Sequence, residues 1–118
     1  DNIDIEIKEV FMEENLNYEE IIMTIIAHAG SARTLAMQAI KSAKNNNLEN
    51  SYDFLEKSNQ EFLNAHKIQT KLIEEEIKGR KVELSLLMVH AQDHLMNAMT
   101  VKELAEEFIS IYKKINRG

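Results

Sequence analysis

Across 118 residues the chain has no proline and only three glycines, Gly30, Gly79 and Gly118, and this scarcity of breakers narrows the fold more than any other feature. A domain built of many short strands needs glycine and proline at its turns. Long helices need few of either and exclude proline from their interiors. The expected fold class is therefore all-α.

Three helices can be read. The first spans about Tyr18 to Lys44, with Asn17 as N-cap and Glu20 three residues on completing a variant capping box. Ile21, Ile25, His28, Ala32, Leu35 and Ala39 recur at helical spacing. The segment KNNNLEN (Lys44–Asn50) breaks that pattern with turn-favouring asparagines. The second helix is expected from about Ser51 to Lys78, capped by Asn50 and stopped by Gly79. Its inner stripe reads Tyr52, Leu55, Phe62, Ile73 and Ile77, with the polar Asn59, His66 and Gln69. The third runs from about Leu86 to Asn116 behind the cap Ser85, with Leu87, Ala91, His94, Ala98, Val101, Ala105, Phe108, Tyr112 and Ile115 as its stripe. Each helix is about 40–47 Å long at ~1.5 Å rise per residue. Nearly equal lengths and short connections favour an antiparallel up-down-up three-helix bundle.

That domain is assigned to residues 16–118. Residues 1–15, DNIDIEIKEVFMEEN, fit neither element cleanly: Ile3, Ile5 and Ile7 alternate like a strand, whereas Ile3, Ile7 and Val10 fit a helix. A lone strand has no partner here, so a mobile N-terminal arm or an expression remnant is expected, with Met12 a candidate native start.

The length suits one domain and leaves no room for a separate catalytic one. A formal net charge of −6 argues against nucleic acid and anionic membrane as partners, both of which call for a basic surface. The absence of cysteine excludes disulfides, thiol catalysis and thiolate metal sites, and fits a reducing cytoplasm. No apolar run reaches the ~18–20 residues that would span a bilayer, and no signal-peptide pattern is present.

The most apolar stretch is LLMVHAQDHLMNAMT (Leu86–Thr100), yet it holds two histidines and an aspartate within five residues. Leu86, Leu87, Met88, Val89, Leu95, Met96, Ala98 and Met99 cannot all face one three-helix core. Either the core stripe is broad with some exposed methionine, or this helix also forms an oligomer interface, the reading favoured here. His90, Asp93, His94 and Asn97 at i, i+3, i+4 and i+7 project from one side of the helix. Three readings of the cluster compete. In the first the histidines are hydrogen-bonded core residues, but an aspartate amid Leu and Met then needs a dedicated partner. A zinc pair at i and i+4 has good geometry, but Ala91 stands where a zinc-hydrolase helix carries its general base, and no further ligand is near in sequence. Or one histidine accepts a phosphoryl group, since a neutral imidazole nitrogen is nucleophilic near neutral pH. His90 then lies on the positive side of the helix dipole, beyond the first turn. Asp93 would need a cation, and its hard oxygens suit Mg²⁺. His28 and His66 are expected to be buried and hydrogen-bonded. Gly30, inside the first helix, is expected to permit close helix approach, and EEEIKGRK (Glu74–Lys81) to be a solvated helix end.

MVHAQDHLM (Met88–Met96), AHAGSAR (Ala27–Arg33) and AHKIQT (Ala65–Thr70) resemble, in order, three segments of the lactose/cellobiose-type enzyme IIA of the bacterial phosphoenolpyruvate-dependent sugar phosphotransferase system. The resemblance runs from about Tyr18 to Lys114. It implies a cytoplasmic homotrimer of three-helix bundles serving a disaccharide of the cellobiose, chitobiose or lactose group. The phosphoryl group would come from the carrier HPr onto His90 and pass to a cysteine of the cognate IIB. Asp93 would meet its two symmetry mates on the threefold axis around a divalent cation, Mg²⁺ or another. Gln92 and His94 would be supporting hydrogen-bond groups. Ser31, where the lactose type often has Asp, leaves the subfamily open. No P-loop or glycine-rich phosphate cradle is present, which fits a relay rather than a kinase. Two rivals remain: a structural or adaptor helical bundle, and a two-component-type histidine phosphotransfer domain, which usually has four helices and lacks the HAQDHLM pattern. The phosphoryl donor, phospho-HPr or a receiver domain, discriminates them.

Overall fold

The computed structural model describes residues 18–117; the reading of residues 1–15, the cap Asn17 and the start at Met12 lie outside them. Three helices follow one another, α1 (Tyr18–Lys44), α2 (Leu48–Ile77) and α3 (Leu86–Arg117), and each packs on the other two in the expected bundle.

Both connections are closed by the same device. After α1 the Asn47 N–H reaches the Ser42 carbonyl at 2.8 Å and the Asn46 N–H reaches that of Ala43 at 3.1 Å. This is a Schellman motif with its left-handed residue at Asn46, φ 63°. After α2 the Arg80 and Gly79 N–H groups bond the Glu75 and Glu76 carbonyls at 3.0 Å each, with Gly79 at φ 92°. Asparagine tolerates this conformation and glycine adopts it freely, which is why the stops fall where they do.

The start of α2 differs from the sequence expectation by three residues. Asn47, not Asn50, is the N-cap: its side chain accepts the Asn50 N–H at 3.1 Å. One asparagine thus closes α1 and caps α2, and the connection shrinks to Asn45–Asn47. The cap of α3 is Ser85, whose Oγ accepts the Met88 N–H at 3.1 Å. The Tyr18 hydroxyl donates to the Glu83 carbonyl and ties the first turn of α1 to the α2–α3 connection.

The core is built largely from small residues at heptad spacing. Ala29, Ala32, Ala36, Ala39 and Ala43 are fully buried along α1. They face an α2 row that includes the buried Ser51, Ser58, Ala65 and Leu72, each seven residues from the next. Side chains this short bring the two backbones close. The Ser51 and Ser58 hydroxyls consequently donate across the interface to the Ala39 and Ala32 carbonyls at 2.7 and 2.6 Å. From α3, Met88, Ala91, Leu95, Ala98, Ala105 and Ile109 close the core. A hydrophobic repeat of 3.5 residues is the coiled-coil mode of helix contact.

Two expected stripes need correction. Tyr52, Ile73 and Ile77 of α2 are exposed, and Ser58, Ala65, Ile68 and Leu72 take the inside. On α3, Phe108 and Ile115 face outward and Ile109 is buried instead. Adjacent helical positions differ by about 100° of azimuth, so choosing the bulkier neighbour places the stripe on the wrong face. No helix among the described residues is long and apolar enough to cross a membrane.

Candidate functional site

The first three turns of α3 carry the site. The Ser85 cap fixes where the helix begins, so His90 is its fifth residue. His90 is exposed and His94, one turn on, is half-buried. Their ring centroids lie 5.5 Å apart with planes tilted by 41°. Among the described residues no protein group hydrogen-bonds the His90 imidazole, which leaves a nucleophilic nitrogen open to an incoming group.

His94 sits between His90 and α1. A β-carbon placed on Gly30 would lie 3.5 Å from His94 Nε2. One turn further along α1, Arg33 joins His94, Asn97 and Val101 in lining a solvent-open depression of about 350 Å³. Arg33 was not singled out as a site residue from sequence. Its signals were its place at the end of AHAGSAR, one of the three resembling segments, and its i+3 spacing from Gly30; what it lines is visible only once α1 and α3 are packed.

Gln92 points elsewhere. Its side-chain oxygen accepts from Gln69 Nε2 across the α2–α3 contact, and its own Nε2 donates to Met88 Sδ at 3.4 Å. The structure therefore brings His90 and His94 together and places Gln92 in the link between α2 and α3. Asp93 is exposed, so in the single chain its charge stays in water and is not the buried carboxylate that the apolar surroundings suggested. It lies in line with Leu86, Val89 and Met96, whose exposures are 85, 49 and 46%. Beyond them Leu104, Phe108, Ile111 and Ile115 continue an exposed apolar stripe down the whole of α3.

The other two histidines depart in part from their expected burial. His28 is hydrogen-bonded, its Nδ1 2.6 Å from Glu61 Oε2, but about a third of its side chain is exposed. His66 is exposed and stacks on Phe62, with centroids 5.6 Å apart. Its helix position aims it off the inner stripe, for the reason given above for α2. Among the described residues no three His, Cys, Asp or Glu side chains gather closely enough to hold a metal ion within one chain.

The chain is thus a three-helix bundle with an exposed histidine backed by a second one, one turn on. The model of the lactose/cellobiose-specific IIA subunit of the phosphotransferase system matches residues 20–113. The lichenan-specific phosphotransferase enzyme IIA component of Bacillus subtilis is 50% identical over 101 residues, covering 86% of this chain and 92% of that protein. The crystal structure of the cellobiose-specific enzyme IIA from Bacillus anthracis superposes with a TM-score of 0.83 at 45% identity, covering 85% of this chain and 92% of that one. The solution structure of the Escherichia coli IIA(chitobiose)–HPr complex matches with a TM-score of 0.74 at 38% identity, covering 84% and 96%. The chain belongs to the lactose/cellobiose-specific IIA subunits of the phosphotransferase system, and is a phosphotransferase component of a sugar-uptake system of the cellobiose, chitobiose or lactose type.

Proposed function

We propose that His90 is the phosphoryl acceptor of this subunit, that HPr is the donor and that the cysteine of a cognate IIB protein or domain is the recipient. The observation that carries the assignment is the open, solvent-facing imidazole of His90 at the head of α3, with His94 behind it. A histidine needed only for packing has no reason to stand exposed among exposed Leu86 and Val89. Support for the donor comes from the structural match to a chitobiose IIA in complex with HPr.

In the first step the P–N bond to the donor histidine breaks as a P–N bond to a neutral nitrogen of His90 forms. One proton leaves the other ring nitrogen of His90 and one is taken up by the departing donor imidazole. In the second step a thiolate sulfur of IIB displaces the phosphoryl group from His90, and the imidazole regains a proton. Such transfers rely on positioning and charge stabilisation rather than on elaborate covalent chemistry. His94 is the supporting group beside the reacting ring, and Gln92 holds α3 to α2 beneath it.

The working form is a cytoplasmic homotrimer packed through the exposed stripe of α3. A solvent-exposed row from Leu86 to Ile115 is the kind of surface that a second copy covers. In that arrangement three Asp93 carboxylates supply hard oxygen donors to one divalent cation, Mg²⁺ being the best match to such ligands. One carboxylate per chain is too little for a site within a subunit, so the donor set fits a metal only between subunits. The cation would neutralise the carboxylate cluster and takes no part in the transfer.

Incubation with phosphoenolpyruvate, enzyme I and HPr, followed by intact mass and site mapping, tests the assignment. One phosphoryl group per chain on His90, and none on His90→Gln, is the expected result. Labelling of the variant at wild-type level would move the acceptor elsewhere, with His94 next in line. Labelling only by a phosphorylated receiver domain would favour a two-component module.

A further inference from the structure

The depression beside His94 is lined by a cation and an amide that the relay described above does not use. Arg33 is exposed on α1 and forms no ion pair with a carboxylate among the described residues, in a chain with twenty acidic side chains against fourteen basic ones. Arg80, by contrast, is engaged by Glu75 at 2.8 Å. Arg33 faces His94 and Asn97 across a space of about 350 Å³ that opens to solvent, roomy enough for a phosphoryl group and its hydration. His94 in turn stands 5.5 Å, ring to ring, from His90. Helical side chains lean toward the N-terminal end of their helix. α1 and α3 run in the same direction, so Arg33 leans back toward the level of Gly30 and His94, and so toward His90.

We propose that Arg33 forms an anion subsite that holds the oxygens of the phosphoryl group while it is carried by or moving to His90. The proposal rests on His90 being the acceptor. A guanidinium stays charged at every working pH and presents a planar fork of N–H donors that matches two phosphoryl oxygens at once. The transferring group is loosely bonded and spreads negative charge over three equatorial oxygens, so a fixed cation beside it lowers the barrier to transfer. The location also has a consequence for partners. In an otherwise acidic protein the subsite is a local positive point beside the acceptor, suited to the phosphoryl group of a docked carrier rather than to the carrier's own surface.

The test compares Arg33→Gln, Arg33→Lys and, as a charge control two turns along α1, Lys41→Gln. Each is loaded from phospho-HPr in single-turnover mode, and the ³¹P chemical shift is recorded on the loaded proteins. Removal of one preorganised charge-stabilising donor costs about 10²–10³-fold in rate at a buried site; at this open one Arg33→Gln should slow transfer by roughly tenfold or more and move the ³¹P resonance. Arg33→Lys keeps the charge without the fork and should fall between it and wild type, while Lys41→Gln should match wild type. A wild-type ³¹P shift and transfer rate in Arg33→Gln would overturn the subsite, as would an equal loss in Lys41→Gln, which would reduce the effect to net charge. Wild-type protein that carries no label on His90 would instead overturn the acceptor assignment itself, so the two failures read differently.

Discussion

His94 Nε2 lies 3.5 Å from the point where a β-carbon on Gly30 would stand. That is ordinary van der Waals contact, so the glycine sits at the approach of α1 to His94 without being forced there by a clash. Glycine in a helix interior costs about 1 kcal/mol relative to alanine. Gly30→Ala should therefore raise stability by about 0.5–1 kcal/mol, or roughly 4–8 °C in Tm at the upper end for a domain this small. Thermal unfolding checks this, and a Tm below wild type would mean that His94 needs the space to move. Transfer kinetics on the same variant would then report whether that movement belongs to the relay.

Ser58 predicts how tightly α1 and α2 are matched. Its fully buried hydroxyl donates to the Ala32 carbonyl at 2.6 Å, and that carbonyl belongs to a helix. Ser58→Ala should cost about 0.5–1.5 kcal/mol, the net worth of an ordinary hydrogen bond. Ser58→Leu inserts bulk between closely spaced backbones and should cost more, about 1–3 kcal/mol. Urea denaturation of both variants checks the order. A leucine variant as stable as wild type would show that the small-residue seam is not a close contact.

The helices were legible in the sequence because their signals are local: scarce breakers, the Ser85 cap, Gly79 and the asparagine run. Which face each helix buries was legible only in part. On α3 both the core face and the stripe from Leu86 to Ile115 are apolar, so periodicity alone cannot say which is inside, and Phe108 and Ile115 were assigned to the core. On α2 half of the buried positions, Ser51, Ser58 and Ala65, are small, so the bulkier Tyr52, Ile73 and Ile77 drew the stripe away from them. At the site, His90, Gln92, Asp93 and His94 stand within five residues and carry a family signature. Arg33 comes from another helix, and only tertiary packing joins it to them.

Tyr18 gives a pH prediction. Burial, foremost, pushes its phenol above the usual value of 10.0; the hydrogen bond with Ser85 opposes this and the Glu83 charge adds to it. The folded state thus holds the phenolic proton more tightly than the unfolded chain does. The resulting stability is fully present below about pH 10 and is lost as pH rises through the higher folded value. Stability should decline above pH 10, and Tyr18→Phe should decline less steeply there while losing the bond to the Glu83 carbonyl at every pH. Urea titrations from pH 8 to pH 11 check this, and parallel curves for the two proteins would remove Tyr18 as a cause.

Asp93 predicts how assembly and metal are linked. In one chain it is an exposed carboxylate set into an apolar row, with Leu86 and Val89 on one side and Met96 on the other. If that row is the trimer contact, three carboxylates approach one another where the effective dielectric is lower than in water, and their repulsion grows accordingly. They can coexist only when protonated or when a cation sits among them. Metal binding and trimerisation are then coupled. Removing divalent ions should weaken the trimer, most strongly at neutral or higher pH, where the carboxylates are ionised. Asp93→Leu should trimerise without metal, because an apolar side chain of similar size can pack on the axis with no charge to neutralise. Sedimentation equilibrium of wild type and Asp93→Leu, each with and without chelator at pH 5 and pH 8, separates the cases. A monomeric Asp93→Leu protein, or a wild-type trimer indifferent to chelation at both pH values, would refute a carboxylate cluster held by metal. In the second case Asp93 would stand at the rim of the contact, solvated as it is in the single chain.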